Sequence, residues 1–178
     1  MAPDQAQNMK KTKPALPAMS APHVTIRFSG YWSEYNCGLM PRRPGVFCVY
    51  RARFDDKAKT TAVRELVFIG AATNVNQCIA EHDDLDRWRA ALGPDEALSF
   101  SYGAVDTGDL TRCERALIHH HRPRLNIVPP GPYPFGRLTL TLDHRSPLLE
   151  RRITVGEHGG PRSIGRRGLD LLRRGLGV

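Results

Sequence analysis

No stretch of this chain approaches the roughly 20 consecutive apolar residues needed to cross a bilayer, so no membrane partner is expected. The N-terminus, MAPDQAQNMKKTKPALPAMSAPH, has lysines but no continuous apolar core behind them, and does not read as a secretory signal. Cysteine is sparse. Cys37, Cys48, Cys78 and Cys113 are widely spaced with no CxxC pair, which argues against a zinc ribbon or a dithiol redox motif. The expectation is a cytoplasmic protein whose thiols are free and buried. No internal repeat is visible.

What is present suits one domain with tails. The chain has 178 residues, 40 % of them hydrophobic, and a formal charge of +8. Five of those eight excess charges sit at the ends: three lysines against Asp4 in residues 1–22, and five arginines against Glu157 and Asp170 in residues 157–178. Attraction to polyanions is one reading of this excess, solubilising tails the other. Residues 1–22 mix Pro, Ala, Gln and Lys without period and read as a disordered basic tail. Residues 157–178 read as a basic Gly/Arg-rich tail, whose GLDLLRRGLGV stretch is too short for a stable isolated helix.

Between the tails, residues 23–156 carry alternating patterns. His23–Phe28 reads as a strand ended by Gly30, and Tyr31–Arg43 as a loop. Val46–Arg53 and Val63–Gly70 read as a long hairpin around DDKAKTT. Asn74 is a good N-cap for a helix to about His82, and Asp84–Leu92 is a second helical stretch around Trp88. Ala97–Val105 follows as a strand, then a helix capped by Asp109 and stopped by Pro123. Beyond the proline-rich PPGPYPFG, Arg137–Leu142 alternates strictly and Glu150–Val155 is its expected partner. The order implies an α+β domain on a small, mainly antiparallel sheet flanked by helices, with a C-terminal β extension.

Linked spacings mark residues 44–126. Gly45-Val46-Phe47 stands on one strand and Phe68-Ile69-Gly70 on the next; Cys78 lies eight residues after Gly70, His82 four further on. Glu114 stands in CERALIHHHRPRLN, with Pro123 nine and Asn126 twelve residues beyond it. This pattern resembles the GIY-YIG nuclease superfamily, and the Pro134-Phe135 loop with RLTLTL resembles its small stand-alone bacterial members. The resemblance implies family catalytic positions at Phe47, Phe68, Cys78, His82, Glu114 and Asn126, with Glu114 as the ligand of one Mg2+ or Mn2+ ion.

The chemistry so implied needs groups that this chain lacks. A water attacks a phosphodiester in line, a tyrosine phenol takes or relays its proton, an arginine offsets phosphate charge, and the metal stabilises the leaving oxygen. Phe47 and Phe68 replace both tyrosines, Cys78 replaces the arginine, and Ala71 stands where some members have lysine. The resemblance therefore implies a catalytically impaired domain kept for binding nucleic acid, DNA rather than RNA, or another partner. Two alternatives stay open. One is an active metal-dependent endonuclease rescued by Tyr102, Arg87 or Arg89; Tyr50, at an odd offset from Phe47, should face the other way. The other is a protein-interaction module, which would have a neutral or acidic face around Glu114.

Further candidates have plainer readings beside them. Arg42, Arg43, Arg122 and Arg124 flank the motif and are candidate nucleic-acid contacts, or scattered surface charge. Cys78 and His82, at i and i+4, have the spacing of a nucleophilic pair, yet a thiol filling the space left by arginine accounts for them as well. His119, His120 and His121 point about 100° apart and cannot converge on one ion.

Overall fold

The computed structural model describes residues 22–128 and 130–156. The expected tails lie outside the described residues, apart from Pro22 at the edge of the first. Six strands, β1 (His23–Ser33), β2 (Gly45–Asp55), β3 (Thr60–Ala72), β4 (Ala97–Ala104), β5 (Leu138–Asp143) and β6 (Arg152–Val155), form one sheet in the order β3-β2-β4-β1-β5-β6. All neighbouring pairs are antiparallel except β1 with β5. The helices are α1 (Val75–Ala80), α2 (Leu85–Arg89) and α3 (Leu110–His121). The α+β class, the mainly antiparallel sheet and the C-terminal β extension agree with the sequence pattern; the parallel β1–β5 pair, which joins that extension to the main sheet, has no local signature.

The sheet is covered on both faces. Val46, Cys48 and Tyr50 of β2 point into a cluster with Cys113, Leu117 and Ile118 of α3 and Leu138, Leu140 and Leu142 of β5. Their sequence neighbours Phe47 and Val49 point into a second cluster with Val75 and Ile79 of α1, Trp88 of α2, and Phe100 and Tyr102 of β4. Strand periodicity enforces this split, since successive side chains alternate across the sheet.

Two expected boundaries differ. Gly30 does not end β1. Ser29 pairs with Tyr102 and Trp32 with Phe100, so β1 carries one residue more than β4 across this interval, and Gly30 takes φ +86° there. Such a bulge suits glycine, which has no Cβ to oppose positive φ. It reverses the alternation, so that Tyr31 packs with the α3-side cluster and Trp32 with the other. Asp109, in turn, makes no side-chain cap. Its carboxylate instead accepts from Arg112 Nη2 at 2.7 Å, and a 3-10 turn, Thr107–Asp109, leads directly into α3. The cap expected at Asn74 does form, its Oδ1 accepting the Gln77 N–H at 3.3 Å.

The three consecutive histidines do not gather at one point, although the His120 and His121 rings meet edge to face at 4.9 Å. His119 packs against Tyr133, His120 Nε2 meets Glu150 Oε2 at 2.7 Å, and His121 has a buried Nε2 without a protein partner. Burial, helped by His120 and His144, pushes His121 down to about 4. The folded pKa lies below the unfolded value near 6.5, so the folded state binds fewer protons. Stability is then complete above about pH 6.5 and is lost as pH falls towards 4. His82 and His144 are shifted the same way, both chiefly by burial. Urea unfolding at pH 7 and pH 4.5 should show the loss, and His121→Gln should lessen it by on the order of 1–2 kcal/mol without abolishing it.

Candidate functional site

The motif positions gather where β2, the edge strand β3 and α1 meet. Phe47 and Phe68 lie on these neighbouring strands with ring centroids 6.1 Å apart. His82 stands edge-on to both, at 6.0 Å from Phe47 and 5.4 Å from Phe68, and Trp88 lies 4.4 Å behind it. Four rings thus occupy the centre. The close packing explains a motif residue: a Cβ on Gly70 would collide with the Phe47 ring. Gly45 is roofed in the same way by Tyr102.

Cys78 is half-buried against this cluster. Burial raises its thiol pKa, and the charge of Glu114 raises it further. His82 moves the opposite way, lowered by burial despite Asp84 and Asp83, and its Nδ1 faces the Asp84 N–H at 3.1 Å. Both shifts favour a neutral thiol and a neutral imidazole, the reverse of a reactive thiolate–imidazolium pair.

Glu114 belongs to α3, whose apolar residues cover the other face of the sheet. Its carboxyl reaches the β3 edge beside Ala71 and acts electrostatically on Cys78 across that edge. Burial raises its pKa; Arg115 and the Ala71 backbone offset only part of this. Among the described residues no three His, Cys, Asp or Glu side chains converge on an ion position. Glu114 therefore offers one carboxylate, with its ionised form disfavoured. A magnesium or manganese ion that keeps several waters needs only one or two carboxylates beside substrate phosphates, and Glu114 is the motif residue that would hold it.

Asn126 has a mechanical task. Its Oδ1 accepts the Ile69 N–H at 2.8 Å and its Nδ2 donates to the Ile69 carbonyl at 2.7 Å, while the Leu125 N–H donates to the Val67 carbonyl at 2.9 Å. The segment after α3 thereby covers part of the free edge of β3.

The alternative groups are distributed unevenly. Tyr102 pairs with Phe47 across β2 and β4 and shares its face, but is only 4 % exposed, and its hydroxyl donates to the Pro44 carbonyl at 2.9 Å. Tyr50 faces the α3 side, as its offset requires. Arg87 pairs with Asp84 at 3.5 Å, and Arg89 with Glu34 at 2.8 Å and Asp86 at 3.0 Å. Arg42 and Arg43 are exposed just before β2, and Arg122 is exposed at the end of α3 in the left-handed conformation. Arg124 pairs with Glu65 at 3.0 Å. Glu65 lies seven residues along β3 from Ala72, the partner of Gly45, roughly 20 Å at strand rise. Arg124 is therefore separated along the edge from the segment that carries Arg42 and Arg43.

Beside the rings lies a shallow groove of about 420 Å3, lined by Asn74, Gln77, Cys78, Glu81, His82 and Asp83 among others. Its lining contains two carboxylates and no lysine or arginine. Sequence reading missed the part of Trp88, whose only signal was an apolar ring amid alternating Asp and Arg. Comparison with protein-family models, curated proteins and solved structures gives no match to this chain.

Two measurements test these assignments. Because Glu114 has a folded pKa above its unfolded value, ionising it costs stability above that pKa, and the cost vanishes below about pH 4.5. Glu114→Gln should therefore be more stable than wild type at pH 7, the gap closing as pH falls; urea titrations at both pH values give the comparison. Asn126→Ala should lose about 2–3 kcal/mol in the same experiment, since it strips partners from both polar groups of a buried strand residue.

Proposed function

We propose that this chain is a GIY-YIG-like domain that has lost phosphodiester cleavage and serves as a nucleic-acid-binding module, with duplex DNA as the expected partner. The supporting observation is the cluster of Phe47, Phe68, His82 and Trp88, with the neutral thiol of Cys78 against it. It fills the place where the family chemistry needs a phenol and a guanidinium. Losing a proton-relaying group costs about 10²–10⁴ in rate, and losing one charge-stabilising donor about 10²–10³. Tyr102 brings a hydroxyl to the same face, but its proton is committed to Pro44. Binding would rest on the exposed Arg42, Arg43 and Arg122 and on the basic ends of the chain.

One observation favours a second reading, a protein-interaction module: the groove beside Cys78 presents Glu81 and Asp83, which repel a phosphate backbone.

A plasmid-nicking assay with Mg2+ or Mn2+, run beside Glu114→Ala, should show no cleavage above background. Affinity for a labelled duplex should fall roughly tenfold or more between about 50 and 200 mM salt. Phe47→Tyr, Phe68→Tyr and Cys78→Arg combined should produce metal-dependent nicking, whereas each alone should do little, because such groups act as a unit. Robust nicking by the wild-type protein, abolished by Glu114→Ala, would overturn the proposal. Absence of any duplex binding at low salt would shift the assignment to the protein-interaction reading.

A further inference from the structure

On the α3 side of the sheet lies a cavity of about 470 Å3, between the β1 bulge and residues 144–149. The bulge at Gly30 turns Tyr31 towards it. Its polar lining is unusual for a core. His144 is 7 % exposed, yet its ring nitrogens and the buried Tyr31 hydroxyl lack a well-formed protein hydrogen bond, Ser146 being the polar neighbour of both. Ser101 and Ser146 are both buried at its wall, Ser101 within 3.2 Å of the Tyr50 hydroxyl. Buried polar groups are nearly always paired, so this concentration of poorly paired ones calls for an explanation.

The charge of the lining has one sign. Each of His144, Tyr31, Tyr50, Ser101 and Ser146 can donate a hydrogen bond. No aspartate or glutamate lines the cavity, and its only formal charge is Arg145, exposed at the rim. The neighbouring Asp143 is engaged outside by Arg27 at 3.1 Å. Phe28 and Leu149 complete an apolar wall with the Tyr31 and Tyr50 rings, which meet edge to face at 5.6 Å. The volume is many times that of a water molecule, about 30 Å3, and falls in the range of small-molecule sites, about 300–1,000 Å3. A phosphate monoester presents three terminal oxygens, enough to meet Arg145 together with the His144 and Ser146 donors.

We propose that this cavity is a ligand site for a small organic phosphate of mononucleotide size. The phosphate meets Arg145, His144 and Ser146, and the ring lies against Tyr31 and Phe28. The site is on the opposite face of the sheet from the Phe47–His82 cluster and does not depend on the nuclease-like reading.

The test is titration of the 15N-labelled full-length protein with AMP, adenosine and inorganic phosphate, followed by NMR of the histidine rings and backbone amides. AMP should shift the His144 ring and the Ser146 amide saturably, inorganic phosphate should shift them more weakly, and adenosine should leave them unchanged. Arg145→Gln, at an exposed position, should keep the ligand-free melting temperature and lower AMP affinity roughly tenfold. Tyr31→Phe, which keeps the ring and removes only the hydroxyl, should weaken binding as well. Shifts confined to the Cys78–His82 groove, equal binding of adenosine, or unchanged AMP affinity in both variants would overturn the proposal.

Discussion

Strand β2 is buried on both faces, and the rest of the structure is arranged around that constraint. Gly45 to Tyr50 are all buried, although the same six residues must serve two clusters on opposite sides of the sheet. A strand in this position needs neighbours on both edges and helices on both faces. β3 and β4 supply the first, α3 and the α1–α2 pair the second. Burial at about 25 cal/mol per Å2 of apolar area makes this the largest favourable term available to the domain. The motif glycines follow from it, because Phe47 and Tyr102 lie flat over neighbouring backbone where a Cβ would intrude.

The same packing settles the character of the candidate site. The buried Phe47 gains by packing with Trp88, His82 and the half-buried Phe68, whereas a tyrosine at 47 would need a partner for its hydroxyl. Desolvation lowers His82 and raises Cys78 and Glu114, so each ionisable group at the site is drawn towards its neutral form.

Several arginines are paired locally. Arg51 bridges Glu65 and Glu96 at 2.8 and 2.7 Å, and Glu65 also receives Arg124. These contacts tie the β2–β3 hairpin to the turn before β4 and to the segment after α3. Exposed pairs of this kind contribute little each, roughly 0–1 kcal/mol. Their larger effect is to withdraw arginines from any shared anion-binding face. The donor-rich cavity at His144 stands apart because its lining has no carboxylate to answer Arg145.

The sequence by itself determined the strands, the three helices, the N-cap at Asn74 and the opposed facing of Phe47 and Tyr50. Each rests on period, capping chemistry or alternation, all local in the chain. The resemblance of its motif spacings to a known family also linked positions 47, 68, 78 and 82. Only the tertiary structure decided that β1 runs past Gly30, that it lies parallel to β5, and that Asn126 clamps Ile69 from 57 residues away. It alone brought Tyr31, Ser101, His144 and Ser146 around one cavity. Contacts between residues so far apart depend on the order of strands in the sheet, and a bulge inverts the side-chain alternation from which a reader of sequence infers which face is which.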